Sequence, residues 1–318
     1  MTEKQINKWL RRQFSPTGWV LIGYYVMMNL LLYVAMAADL GRQLLWNLRL
    51  GSFPFDFDWD MVWSNGWGYV ASCVVAMLIL FGWKGSTFWS QVMKTRQKRM
   101  TLLTLLAVIG LSILAQLLNS FWIGFLEWIC SFFDHSMMPL LESVSGATDT
   151  ASMFLYSALF APVAEEILFR GYILHTLKPY GKRFAILGSG LLFGIFHGNL
   201  LQMPYAVIMG FLLGYLAVEY SFLWAVFLHV CNNLVLAEGL GRLAELLPPI
   251  AADVLTMAVF AVFSLAALGI LIAKRREIRE YRAGEWIDRR CVKCLFTSPG
   301  VALLLIMMAG NIVSSFSL

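Results

Sequence analysis

Charge is what this sequence has least of. Asp, Glu, Lys and Arg make up 14% of its 318 residues, against about a quarter in soluble domains. With 59% hydrophobic residues and a mean hydropathy of +0.71, that shortage excludes a soluble globular protein and predicts an all-α polytopic membrane protein. Cysteine is scarce too. Its five copies are scattered, mostly in apolar runs, which excludes a disulfide framework. Cys291-x-x-Cys294 is a single pair with no second half, weak ground for a zinc knuckle. No internal repeat, low-complexity tract or soluble domain interrupts the chain. The usual hydrolytic signatures are missing as well. There is no HExxH and no Ser/His/Asp or Cys/His arrangement, and Cys231, two residues from His229, would face away from it on a helix.

What is present is a series of nine apolar stretches, predicting about eight or nine spans. They run Thr17–Ala37, Gly68–Trp83, Thr101–Trp128, Ala151–Leu177, Phe184–Met203, Pro204–Tyr220, Phe222–Ala237, Ala251–Ala273 and Gly300–Phe316. Several are short for a crossing of about 20 residues, so some must be tilted, extended or partly re-entrant. The first follows a basic start (Lys4, Lys8, Arg11, Arg12) and is long enough to remain as an anchor. Three parts are expected: accessory helices at 1–150, a core at 151–240, and C-terminal helices with a basic loop at 241–318. The basic residues alternate in support. Segments expected inside hold four in 1–16, five from Lys84 to Arg99, three from Lys178 to Arg183 and eight from Lys274 to Lys293; those outside hold only Arg42, Arg49 and Arg242. The positive-inside rule then makes the N-terminus cytoplasmic. The long basic loop reads as a solvated face near anionic lipid, and no nucleic-acid partner is expected. The outer loop Phe53-Pro-Phe-Asp-Phe-Asp-Trp-Asp60 reads as an aromatic belt at the interface.

The fourth stretch carries Ala161-Pro-Val-Ala-Glu-Glu-Ile-Leu-Phe-Arg170. Two adjacent carboxylates and a guanidinium at membrane depth cost about 2.5–3.5 kcal/mol each on insertion scales. On a helix Glu166 and Arg170, at i and i+4, share a face and can pair. Glu165, turned about 100° away, cannot join equally. One carboxylate is thus expected to be structural and the other left for chemistry.

Two further polar positions stand out: His197, ending Phe193-Gly-Ile-Phe-His197, and His229, opening His229-Val-Cys-Asn-Asn233. At a rise of 1.5 Å per residue, Glu165, His197, His229 and Asn233 lie roughly 18, 20, 13 and 19 Å from the expected cytoplasmic ends of their spans. Four polar groups from three spans therefore fall near one level. Gly190, Gly194 and Gly198, at four-residue steps, would let the helix backbones close up around them. His175 near a span end, Glu219 at the inner interface within reach of water, and Glu127 at the outer one are read as structural.

Amide hydrolysis needs a base to activate water and donors for the oxyanion. Glu165 with His197 could activate the water, and His229 with Asn233 could hold the oxyanion. This reading needs no cofactor. The competing one makes Glu165, His197 and His229 ligands of a catalytic Zn2+. Two other classes fit a membrane protein with buried ionisable groups: a proton-coupled transporter, against which the lack of an internal repeat counts, and a non-catalytic scaffold.

Glu165-Glu166-x-x-x-Arg170, Phe193-x-x-x-His197 and His229-x-x-x-Asn233 together resemble the three motifs of the CPBP intramembrane proteases, the family of type II CaaX prenyl endopeptidases and bacterial Abi bacteriocin-processing and immunity proteins. The resemblance covers about residues 150 to 240. It implies a membrane-embedded peptidase in a bacterial cytoplasmic membrane, acting on a peptide or membrane-protein substrate. It also implies that Glu165 and His197 activate water, that His229 and Asn233 hold the oxyanion, and that Glu166 and Arg170 support the site.

Overall fold

The computed structural model describes residues 1–94, 97–145, 150–284 and 287–315. Phe316, the end of the last expected span, and Arg96 of the second basic segment lie outside the described residues. No strand occurs among the described residues. The helices are α1 (Glu3–Leu50), α2 (Trp59–Trp63), α3 (Trp67–Lys94), α4 (Leu102–Ser131) and α5 (Met138–Ser145). There follow α6 (Ala151–Tyr180), α7 (Lys182–Phe196), α8 (Met203–Glu219) and α9 (Phe222–Glu245). The chain ends in α10 (Pro249–Ala273), α11 (Arg275–Ala283), α12 (Arg289–Phe296) and α13 (Pro299–Ser315).

Over its described residues each of the nine apolar stretches falls on a helix, the fifth only as far as Phe196. Among the described residues six helices are long and apolar enough to cross a membrane, and the pair α12–α13, bent by 61°, makes a seventh if it counts as one span. The core helices α7 and α8, with 15 and 17 residues, are shorter. The fifth expected span reached Met203, but α7 stops at Phe196 and the chain turns through Gly198 at φ +64°, a conformation glycine adopts without strain. Large apolar side chains face outward around the bundle, among them Leu30, Trp128, Met257 and Ile306. Such a surface suits lipid, not water. The chain is an integral membrane protein.

The helix starts are set by polar caps in front of apolar runs. Thr2 forms a capping box with Gln5, and the side chains of Asp58, Thr101, Thr150, Ser221 and Asp288 each accept a backbone N–H of the first turn. Helix α3 breaks at Gly85, φ +73°, two residues past the expected end of its span.

Both ends of the bundle are tied in a way that supports the alternation of the spans. At one end Glu219 receives Lys98 at 2.9 Å and Lys182 at 3.9 Å, and accepts from the Tyr281 hydroxyl at 3.2 Å. Arg183 donates to the Arg282 carbonyl nearby. Three of the four segments expected inside therefore meet around one carboxylate. Glu219 is 5% exposed, so it is a clamp between basic loops and not a residue held in water. At the other end Thr150 donates to the Ser64 carbonyl at 2.6 Å, and Ser152 accepts from the Gly66 N–H at 3.0 Å.

The core sits where α6, α7, α8 and α9 meet. Helices α7 and α8 touch backbone to backbone: a Cβ placed on Gly210 would lie 2.7 Å from the Gly190 Cα, and one on Gly194 would run into Val207 and the Met203 carbonyl. Gly190 and Gly194 thus make the close crossing that their spacing predicts, whereas Gly198 serves the turn. Gly210→Ala should force the two backbones apart and lower the thermal unfolding temperature in detergent. Gly124→Ala, on α4 with nothing within 4 Å, should leave it unchanged or raise stability by about 0.5–1 kcal/mol.

Candidate active site

Helix α6 is not a uniform α-helix. Its π-helical turns at Tyr156–Phe160 and Ile167–Ile173 flank the α-helical Ala161–Glu166. At the ends of these turns the Ala161 N–H reaches the Tyr156 carbonyl and the Leu174 N–H the Phe169 carbonyl, each five residues back. Helix α9 carries a third π segment at Asn232–Gly239, directly after the helical turn holding His229. Such widened turns cluster at functional sites. His175 donates from Nδ1 to the Arg170 carbonyl inside the second segment at 2.8 Å, a structural role as expected.

Glu166 and Arg170 form the ion pair that their spacing requires. Arg170 Nη1 lies 2.8 Å from Glu166 Oε1, with both side chains fully buried. Arg170 Nη2 also donates to the Gly210 carbonyl at 3.1 Å, and its guanidinium carbon lies 4.4 Å from the centroid of the Phe193 ring. The Gly190–Gly210 crossing and the arginine are therefore part of one arrangement.

His229 reaches the same carboxylate, its Nδ1 lying 2.8 Å from Glu166 Oε1. An ionised carboxylate only accepts, so Nδ1 carries the proton of this contact. Nε2 is then the free nitrogen, 3.7 Å from Glu165 Oε2. Glu165 itself, with 22% of its side chain exposed, lines a cavity of about 780 Å3 together with His197, His229 and Asn233. All four expected catalytic residues face one space. His197 is the first residue past α7, and its Nδ1 lies 2.8 Å from the Phe193 carbonyl. That carbonyl can only accept, which leaves Nε2 of His197 as an acceptor in the neutral ring. The Phe193 ring stands between the imidazoles, at 4.8 Å from His197 and 5.7 Å from His229.

Asn233 donates from Nδ2 to the Ser157 carbonyl at 3.0 Å and accepts at Oδ1 from Asn232 at 3.2 Å. Tyr205 on α8 donates to Asn232 Oδ1 at 2.6 Å. This chain fixes which end of the Asn233 amide is the donor and leaves its second N–H unassigned. Ser157 donates in turn to Glu238, a further carboxylate lining the cavity. Tyr205, Asn232, Ser157 and Glu238 were not singled out in the sequence. Only the Asn232-Asn233 doublet gave any signal: Ser157 and Tyr205 are ordinary residues in apolar runs, and Glu238 falls one residue past the expected end of its span.

Among the described residues no three His, Cys, Asp or Glu side chains come close enough together to hold one metal ion. Glu165 and His229 approach each other, but His197 does not complete the set as the side chains stand. The donors present therefore do not form a ready-made zinc site.

The stability of the site should depend unequally on its charges. Arg170→Ala strands Glu166 as a buried unpaired charge and should cost about 3–5 kcal/mol. Glu165→Ala, at a half-open position, should cost much less. Thermal unfolding of the two variants in the same detergent compares them, and equal losses would contradict the assignment of the ion pair.

Residues 147–235 match the family model described as Rce1-like, type II CAAX prenyl endopeptidase Rce1-like. The chain is also similar to a Bacillus subtilis (strain 168) protein named "Putative membrane peptidase YdiL", 28% identical over 176 residues. That match covers 52% of this chain and 66% of the relative, a little under two thirds of its length. No solved structure matches. The matched segment begins before α6 and ends inside the π segment of α9, and it contains every motif residue described above. On these findings residues 147–235, the core helices of the chain, are similar to the type II CAAX prenyl endopeptidase Rce1-like family over the segment that carries the three motifs.

Proposed function

We propose that the protein is an intramembrane endopeptidase that hydrolyses a peptide bond of a membrane-associated or lipidated substrate, using water activated by Glu165 and His197. The observation that supports this most is the sharing of one cavity by Glu165, His197, His229 and Asn233, with the neighbouring carboxylate Glu166 held out of it by Arg170. In this reading the Glu165 carboxylate takes a proton from water as its oxygen attacks the scissile carbonyl, with Nε2 of His197 accepting the other water hydrogen. The unassigned N–H of Asn233 donates to the oxyanion. The proton held by Glu165 then passes to the leaving amine as the C–N bond breaks, so the enzyme ends as it began. His229 donates a hydrogen bond from Nδ1 to Glu166 and, when its ring is doubly protonated, a second from Nε2 to the oxyanion. No step in this reading is routed through a metal.

The orientation proposed is N-terminus cytoplasmic in a bacterial membrane. The gathering of the basic segments at one end of the bundle supports the common sidedness this requires. The substrate, following the description of the matching family, is a peptide tail carrying a lipidated cysteine or an apolar segment of a membrane protein.

Purified protein in detergent should cleave an apolar quenched-fluorescent peptide carrying either an S-farnesyl or a free cysteine. Glu165→Ala and His197→Ala should each lower the rate at least a hundredfold, the scale of losing general base catalysis, with unfolding temperatures close to wild type. Cleavage surviving in either variant contradicts the assignment. Activity abolished by 1,10-phenanthroline and restored by Zn2+ would favour the metal reading instead.

A further inference from the structure

Among the polar side chains of the cavity that belong to no motif and lie outside the matched residues, one is buried with an unsatisfied oxygen. Asn119, on α4, is 6% exposed, lines the cavity that contains Glu165 and His197, and has no hydrogen-bond partner for its Oδ1. It sits near the middle of its helix, about 26 Å along from Leu102 and about 18 Å from Ser131 at 1.5 Å per residue. A buried amide oxygen without a partner keeps the full cost of its desolvation. An asparagine that glued helices together would bond across to a neighbouring helix, and this one does not.

Its surroundings show where it acts. Gln116 lies one turn away on the same face of α4 and also lines the cavity. On the other side Trp122 donates from Nε1 to the Leu200 carbonyl at 2.8 Å. That bond fixes α4 against the turn that follows His197. The amide is therefore held on a wall of the cavity by a contact three residues from a proposed catalytic group, yet among the described residues its Oδ1 has no partner.

We propose that Asn119, with Gln116 beside it, is a subsite for the backbone of the substrate peptide. A primary amide offers a donor and an acceptor together, the complement of a peptide group. It would hold an extended segment by its main chain whatever its side chains, and so present the scissile bond to the groups on α6, α7 and α9. This rests on the endopeptidase reading above. It adds a specificity element in the flanking helices, where the family match does not reach.

The test measures binding and turnover separately. The Glu165→Gln variant, mixed with the two peptides described above, reports binding as the peptide concentration that gives half the maximal thermal shift. Adding Asn119→Leu should weaken that binding about fivefold, the worth of one hydrogen bond of about 1 kcal/mol. In the cleavage-competent enzyme Asn119→Leu should raise KM by a similar factor and hold kcat within about twofold, the pattern of lost uniform binding. Its unfolding temperature should equal or exceed wild type, because an unsatisfied polar group is removed. Asn119→Gln, which keeps the amide, should recover part of the affinity. Unchanged binding with Asn119→Leu, or a lowered unfolding temperature, overturns the subsite while leaving hydrolysis standing. Weakened binding in a protein whose wild type cleaves neither peptide supports the subsite and overturns hydrolysis. No binding by Glu165→Gln and no cleavage by wild type overturn both.

Discussion

The arrangement depends on one buried cation. Arg170 is wholly enclosed, at a depth where a charge is costly. Its compensation comes from three different helices: Glu166 on its own helix α6, the Gly210 carbonyl on α8, and the face of Phe193 on α7. The carbonyl is within reach because glycines stand at the α7–α8 crossing and let the two backbones touch. Through Glu166 the arginine also holds His229, and with it α9. One ion therefore sets the relative positions of the four helices that carry the motifs. Such a pair does not stabilise the protein as hydrophobic packing would, but breaking it would leave a charge with no route to water. Four helices are bound into one geometry by that penalty.

The adjacent carboxylates show how one turn of helix can separate structure from chemistry. Glu166 spends one oxygen on both Arg170 and His229 and is sealed. Glu165, one residue back, falls on the cavity side. The π turns on either side bend the accounting of the helix. Each inserts a five-residue hydrogen-bond step, so the faces before Tyr156 and after Ile173 are not in phase with the face that bears Glu165. The helix can then pack along α3 and bury its Ile173–Leu177 end in the core while its middle presents two ionisable groups inward. The same device follows His229 on α9, where the widened segment brings Asn232, Asn233 and Glu238 toward the cavity.

How much of this could be read from the sequence follows from what each feature depends on. The Glu166–Arg170 pair was legible because i,i+4 spacing is local and a charge in an apolar run is hard to excuse. The convergence of His197, His229 and Glu165 was legible as a coincidence of depth. Gly190 and Gly194 were legible as a crossing, though α8 as the partner was not. What could not be read is whatever depends on a neighbour. Glu219 read as a residue at the water interface, because the sequence does not show that Lys98, Lys182 and Tyr281 close over it. Asn119 read as one more residue in a long apolar span. Tyr205, which sets the Asn232–Asn233 pair, has no local signal at all. The π turns were invisible for another reason: the residues at Tyr156–Phe160 are ordinary helix formers, and only packing decides which hydrogen bonds they make.

The distribution of polar atoms around the cavity also separates two parts of the molecule. The groups proposed for bond cleavage belong to α6, α9 and the end of α7 and lie within the family-matched segment; His197, His229 and Asn233 are each held by a hydrogen bond to the Phe193 carbonyl, Glu166 and the Ser157 carbonyl respectively. The facing wall is built from α4 and α10, which lie outside it and contribute isolated polar groups among apolar ones, such as Gln116, Asn119 and Thr256. A set held in this way suits a reaction that tolerates little displacement of its reacting groups. A wall with few internal bonds can change residue by residue without disturbing that set, because sites that share no partners act nearly independently. On the proposed reading this lets one hydrolytic core serve different substrates: the flanking helices choose the chain, and the charged core, which cannot vary without stranding Arg170 or Glu166, cuts it.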